Sequence, residues 1–155
     1  MCSILLVEDH QDTRRAFATL LRSWGHDVST SESADSGLTF LDDNEVDVIL
    51  SDIGLPEQDG YEFIAQVRQK NSAVIAIAVS AYFTAADRRR GHDAGFDMHF
   101  PKPVDLLDLR RVLSRMNSHP CRHGNGSHAS AEPLDRSLNR NARLESSSAG
   151  AAGAD

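Results

Sequence analysis

Five short apolar runs, each followed by apolar residues at helical spacing, recur between residues 3 and 116 of this 155-residue chain. The runs are SILLV (Ser3–Val7), a weaker stretch at 26–30 whose only large apolar residue is Val28, and Val46 with Val48, Ile49 and Leu50. AVIAIAV at 73–79 and a short run at 96–100 complete the set. Phe17, Leu20, Leu21 and Trp24 follow the first run, and Gly25 closes that helix. Ala34, Leu38 and Leu41 give a second helix, weakened by Gly37. Asp59 with Glu62 caps a third that carries Phe63, Ile64 and Val67. A fourth begins at a Thr84–Asp87 cap and ends at Gly95, and a fifth carries Leu106, Leu109, Val112, Leu113 and Met116. Unbroken apolar runs suit strands buried on both faces, and strands alternating with helices suit right-handed crossovers. The pattern therefore predicts an α/β fold: a five-stranded parallel sheet, doubly wound with helices on both faces.

This unit ends near residue 117. From 118 to 155 the chain is rich in Ser, Ala, Gly, Asn and His, with Leu134, Leu138 and Leu144 its only large aliphatics. Such a segment buries too little apolar surface to offset its chain entropy, which predicts one domain at 1–117 and a disordered polar tail without an output domain. His119, Cys121, His123 and His128 in the tail have chelating side chains, but nothing around them suggests a folded knuckle or a second shell. The formal net charge is −7, and all of the excess lies in residues 1–117, where 12 basic residues face 19 acidic ones. That balance argues against broad electrostatic attraction to nucleic acid and hence against direct DNA binding. Two cysteines, Cys2 and Cys121, make no disulfide framework, so a reducing, cytoplasmic setting is expected. No stretch is long enough for a membrane span.

The chemistry sits at the ends of the strands. The first ends at Glu8 and Asp9, the third at Asp52, the fourth at Ser80, and the fifth leads into Lys102. In a parallel sheet these ends share one edge, where loops leave a crevice. Three carboxylates in one crevice repel, by roughly 4 kcal/mol per pair at 4 Å and an effective dielectric of 20. A divalent cation relieves that repulsion, and all-oxygen ligands with room for water suit Mg²⁺. A carboxylate beside Mg²⁺, with an amine and a hydroxyl at hand, is equipped to take a phosphoryl group.

With these residues in place, VDVILSDIGLPEQDG at 46–60 and DRRRGHDAGFDMHFPKP at 87–103 resemble the receiver domain of two-component response regulators, a flavodoxin-like (βα)5 fold. The likeness is of the chemotaxis-regulator kind, and closest in style to receivers of hybrid histidine kinases. It implies that Asp52 is the phosphoacceptor, taking its phosphoryl group from a sensor histidine kinase or a histidine phosphotransfer protein. By the resemblance Asp9 binds Mg²⁺ directly, Glu8 largely through water, Asp52 as a further ligand, and Gly54 through its backbone carbonyl. Ser80 and Lys102 would hold phosphoryl oxygens. His99 occupies the switch position three residues before Lys102, where the family has Tyr or Phe. Signalling to a downstream protein would then use the face formed by the fourth helix, fifth strand and fifth helix. Gly54 and Tyr82 occupy the positions that tune phosphoryl lifetime, and the Lys102–Pro103 bond is expected to be cis.

Other readings of the same residues are weaker. A Mg²⁺-dependent aspartyl-phosphate hydrolase of the haloacid-dehalogenase kind requires DxDxT after the first strand, where this chain has EDHQDT, and no Walker A loop occurs. A pseudo-receiver scaffold is at odds with the complete set Glu8, Asp9, Asp52, Ser80 and Lys102. Arg88, Arg89 and Arg90 read most simply as a solvated helix face.

Overall fold

The computed structural model describes residues 1–71, 73–81 and 84–117. In chain order the elements are β1 (Ser3–Val7), α1 (Gln11–Ser23), β2 (Asp27–Ser31), α2 (Ala34–Asp43), β3 (Val48–Asp52), α3 (Gly60–Lys70), β4 (Ile75–Ser80), α4 (Ala85–Ala94), β5 (Met98–Pro101) and α5 (Leu106–Asn117). All strand pairs are parallel, in the order β2-β1-β3-β4-β5, so the chain reverses its direction of winding beside β1. The predicted disordered tail and the four chelating residues within it lie outside the described residues, as does Tyr82.

Side chains alternate across each strand and build one core on either face. Leu5, Val7, Ile49, Ala76 and Ala78 face α2 and α3 and cluster with Phe63, Ile64 and Val67. Ile4, Leu6, Val48, Leu50, Ile77 and Val79 face α1 and α5 and cluster with Ala18, Leu21, Leu109 and Leu113. Truncating any fully buried member such as Ile49 or Leu113 to Ala costs about 2–5 kcal/mol in transfer and cavity terms. Gly37, read from sequence as a weakness in α2, is a packing residue. A Cβ there would come within 3.2 Å of the Phe63 ring and 3.4 Å of Val7.

Helix ends follow the expected chemistry. Asp59 accepts a hydrogen bond from the Glu62 amide at the start of α3, and Thr84 with Asp87 forms a reciprocal capping box on α4. Gly95 closes α4 at φ +123°, and Gly25 follows α1 at φ +89°.

Four strands begin later than their apolar runs, β2 by one residue and β3, β4 and β5 by two. Pairing of β4 starts at Ile75 opposite Val48, not at residue 73, because the Ala73 amide donates to Asn71 Oδ1 in a turn. Strand β5 starts at Met98, not at residue 96, because the Asp97 carboxylate turns back to accept the Ala76 amide at 2.8 Å. Arg68 consolidates this corner, donating to Gly95 O at 2.9 Å and pairing with Asp97 at 2.8 Å. Leu106, expected in the core, is 43% exposed.

His26 at the mouth of β2 is buried, and its Nδ1 accepts from the Cys2 amide at 3.4 Å. Burial, reinforced by the nearby N-terminal ammonium, holds its pKa below the usual 6.5. A depressed folded-state pKa means that the unfolded chain binds more protons, so this contribution is complete above pH 6.5 and is lost as the pH falls. Stability by urea denaturation is therefore expected to drop between pH 7.5 and 5.5, with a shallower slope in His26→Gln. Equal slopes would refute the assignment.

Candidate functional site

The carboxyl ends of β1, β3 and β4 and the loop after β5 converge as their sequence positions require. The β1 direction is continued one residue beyond the strand by the Glu8 amide, which donates to Ser31 O at 3.0 Å and turns the Glu8 side chain into the interior. Ligand oxygens of Glu8, Asp9 and Asp52 lie within 4.8 Å of one another. Glu8 is buried and Asp9 is exposed, so the cluster has a dry wall and a wet one.

Lys102 closes the ring of charge. Its Nζ donates to Asp52 Oδ2 at 2.8 Å and reaches Glu8 Oε2 at 3.5 Å. The Lys102 amide donates to Ser80 O at 2.8 Å, which fixes the lysine backbone to the end of β4 before the chain turns at a cis Lys102–Pro103 bond. The other Asp52 oxygen, Oδ1, accepts the Gly54 amide at 3.0 Å. Asp52 is thus held from both sides, with a side chain only 11% exposed.

The electrostatics follow from burial and these partners. Desolvation raises the Glu8 pKa, the hydrogen bond from the His10 amide opposes it, and the Asp52 charge adds to it. Burial alone would lower the Lys102 pKa. The hydrogen bond and charge of Asp52, with Glu8 behind them, outweigh that and hold it above the usual lysine value. The amine is therefore a fixed cation among three acids.

Ser80 is buried at the end of β4, opposite Pro101 of β5. His99 lies on β5 opposite Ala78, half-buried, in contact range of α4 at Gly91. Burial lowers its pKa, with Asp87 opposing and Arg88 reinforcing, which favours the neutral ring.

Two features were not apparent from sequence. A cavity of about 390 Å³ opens beside Asp52 and Lys102, walled by Thr13 and Phe17 of α1 and by Val104 and Leu106. Leu106, displaced from the core, belongs to this wall. The other feature is Gly60, seen in sequence only as a turn marker: a Cβ there would stand 2.6 Å from Asp52 O and 2.8 Å from Ile53 Cα. The helix start presses against the backbone that carries the Asp52 carboxylate, and only glycine fits.

Fold and cluster together define a doubly wound α/β domain with an acidic, lysine-bridged site at the carboxyl edge of its sheet. The family model described as the response regulator receiver domain matches residues 4–114. The chain belongs to that family. It is 38% identical over 121 residues to the KDP operon transcriptional regulatory protein KdpE of Escherichia coli, covering 76% of this chain and 53% of KdpE. It is 33% identical over 111 residues to the sensor histidine kinase RcsC of Salmonella typhi, covering 72% of this chain but 12% of RcsC. Among solved structures, the receiver domain of the Francisella response regulator 1452 superposes with a TM-score of 0.72 at 21% identity, covering 76% of this chain and 98% of that domain. No helix among the described residues is long and apolar enough to cross a membrane.

Proposed function

We propose that Asp52 accepts a phosphoryl group from a phosphohistidine on a sensor histidine kinase or a histidine phosphotransfer protein. The observation that carries this reading is the convergence of Glu8, Asp9 and Asp52 within 4.8 Å with Lys102 at 2.8 Å from Asp52. In the transfer, an Asp52 oxygen forms a bond to phosphorus as the phosphorus–nitrogen bond to the donor imidazole breaks, and the imidazole keeps the electron pair and takes a proton. Lys102, whose Nζ lies 2.8 Å from Asp52 Oδ2, would neutralise charge on one phosphoryl oxygen, and Ser80 at the neighbouring strand end would hold another.

The donor set is all oxygen and open to water on the Asp9 side, which fits Mg²⁺. Asp9 and Asp52 would hold it directly, Glu8 largely through water, and Gly54 through its carbonyl. When bound, the ion neutralises the developing charge on the transferring group. Asp52 phosphorylation would then be read by His99 and passed to a downstream protein through the α4–β5–α5 face. The lifetime role expected for Gly54 rests on its lack of a side chain.

Mass spectrometry after incubation with acetyl phosphate and Mg²⁺ tests the proposal: one phosphoryl adduct, mapped to Asp52, is expected. A phosphoryl group mapped to any other residue, or none at all, would overturn it. Mg²⁺ alone should also stabilise the fold, by about 2.7 kcal/mol at one hundred times its dissociation constant. Asp9→Asn is expected to remove most of that gain in a thermal melt, while an equal gain in the variant would exclude Asp9 as a ligand.

A further inference from the structure

The cavity beside Asp52 has a charged mouth and an apolar body, and phosphoryl chemistry at Asp52 engages only the mouth. Leu6, Leu50 and Val79 of the sheet form its floor, Phe17 of α1 one wall, and Val104 with Leu106 the other. At about 390 Å³ it is more than twice the size of the roughly 150 Å³ cavity that takes one benzene ring. It therefore suits a fused ring pair, or a single ring with a short side chain. Leu106, 43% exposed, stands at the rim, so the body is reached from solvent between α1 and the start of α5.

The mouth has the wrong sign for an anion. Lys102 Nζ lies 2.8 Å from Asp52 and 3.5 Å from Glu8, and the ligand oxygens of Glu8, Asp9 and Asp52 fall within 4.8 Å of one another. Three carboxylates against one amine leave a net negative charge. A carboxylate or phosphate head on an apolar body would meet that repulsion in a place half shut off from water. A primary ammonium relieves it, and its three N–H donors match carboxylate oxygens. Glu8 lines the cavity with a side chain only 8% exposed, and solvent screens a charge pair least beside such apolar walls.

We propose that this recess binds apolar primary amines, the ring body over Leu6, Leu50 and Val79 and the ammonium among Glu8, Asp9 and Asp52. The inference stands whether or not Asp52 accepts phosphate. An amine so placed takes the position that a divalent cation would take, so the two ligands exclude each other. Small apolar amines would thereby hold the acidic site out of use until Mg²⁺ displaces them.

The test is isothermal titration calorimetry of the full chain with tryptamine, in chelator and then in Mg²⁺. A dissociation constant below about 1 mM is expected in chelator, with amide shifts in a nitrogen-15 spectrum mapping to Phe17 and Leu106. Indole-3-propionate, the same body with an anionic head, and ethylamine, the head without the body, should each bind at least about tenfold more weakly. Glu8→Gln removes a carboxylate at nearly constant shape and should weaken tryptamine by about fivefold or more. Leu106→Lys, at an exposed position that the fold tolerates, removes apolar wall and adds a repelling charge, and should do the same. Absence of tryptamine binding, shifts mapping elsewhere, equal binding of indole-3-propionate, or an unchanged affinity in Leu106→Lys would overturn the proposal. So would Mg²⁺ that stabilises the fold yet leaves tryptamine affinity unaltered. Tryptamine binding with no effect of Mg²⁺ on either the fold or the amine would overturn the metal reading and leave the recess in place.

Discussion

Asp52→Asn is expected to abolish phosphorylation by acetyl phosphate, by the kinase and by any phosphotransfer protein, while the fold persists. The amide is nearly isosteric with the carboxylate but is a poor nucleophile toward phosphorus, and the Oδ2 anion that holds Lys102 at 2.8 Å is gone. The fold survives because Lys102 keeps Glu8 at 3.5 Å, and because removing one of three clustered carboxylates relieves repulsion as it removes attraction. These opposed effects should leave stability within about 1 kcal/mol of wild type. Intact-mass measurement gives the first result and urea denaturation the second. Undiminished labelling of the Asn variant would remove Asp52 from its role.

Gly60→Ala is expected to have the largest effect on stability of any single-methyl change near the site. At most helical positions Ala is favoured over Gly by about 1 kcal/mol. Here the added methyl would stand 2.6 Å from the Asp52 carbonyl oxygen and 2.8 Å from Ile53 Cα. Both are backbone atoms, so neither can swing aside as a side-chain tip would. The Gly60 amide also donates to Ile53 O at 2.8 Å, which holds the helix start against the strand end. Relief requires α3 to lift or the Asp52 segment to shift, a strain of about 1–3 kcal/mol or more. The melting temperature should fall by roughly 10 °C, since 1 kcal/mol shifts a domain of this size by about 4–8 °C. Asp52 labelling should slow with it. An unchanged melting temperature would mean that the contact is absent in solution.

Much of this was written in the sequence because it depends on local rules. SILLV is a strand over those five residues, and caps at Asp59 and Thr84 need only their own helix. The convergence of Glu8, Asp9, Asp52 and Lys102 follows once the strands are parallel, since every strand end then shares one edge. What escaped depends on partners distant in the chain. Apolar runs report burial, not pairing, so the late starts of β4 and β5 were hidden in hydrogen bonds made by Asn71 and Asp97. The packing roles of Gly37 against Phe63 and of Gly60 against Asp52 are decided across 26 and eight residues, where sequence shows only a missing side chain. Leu106 obeys the periodicity of α5 yet faces the cavity by the site, because it stands in the first turn, beyond the part of the helix that covers the sheet.

Helix α4 carries a last consequence. Gly91 is its only buried residue, and its outward surface is charged along most of its length. It adheres to the body through Arg90, which pairs with Asp59 and stacks over Tyr61, and through the crevice where Gly91 meets Phe96 and His99. With so little apolar surface to expose on leaving, it is the element whose displacement costs least. A domain with one weakly seated helix beside a firmly built core behaves like a keyboard with one key: work done anywhere on the frame is released at the piece that yields.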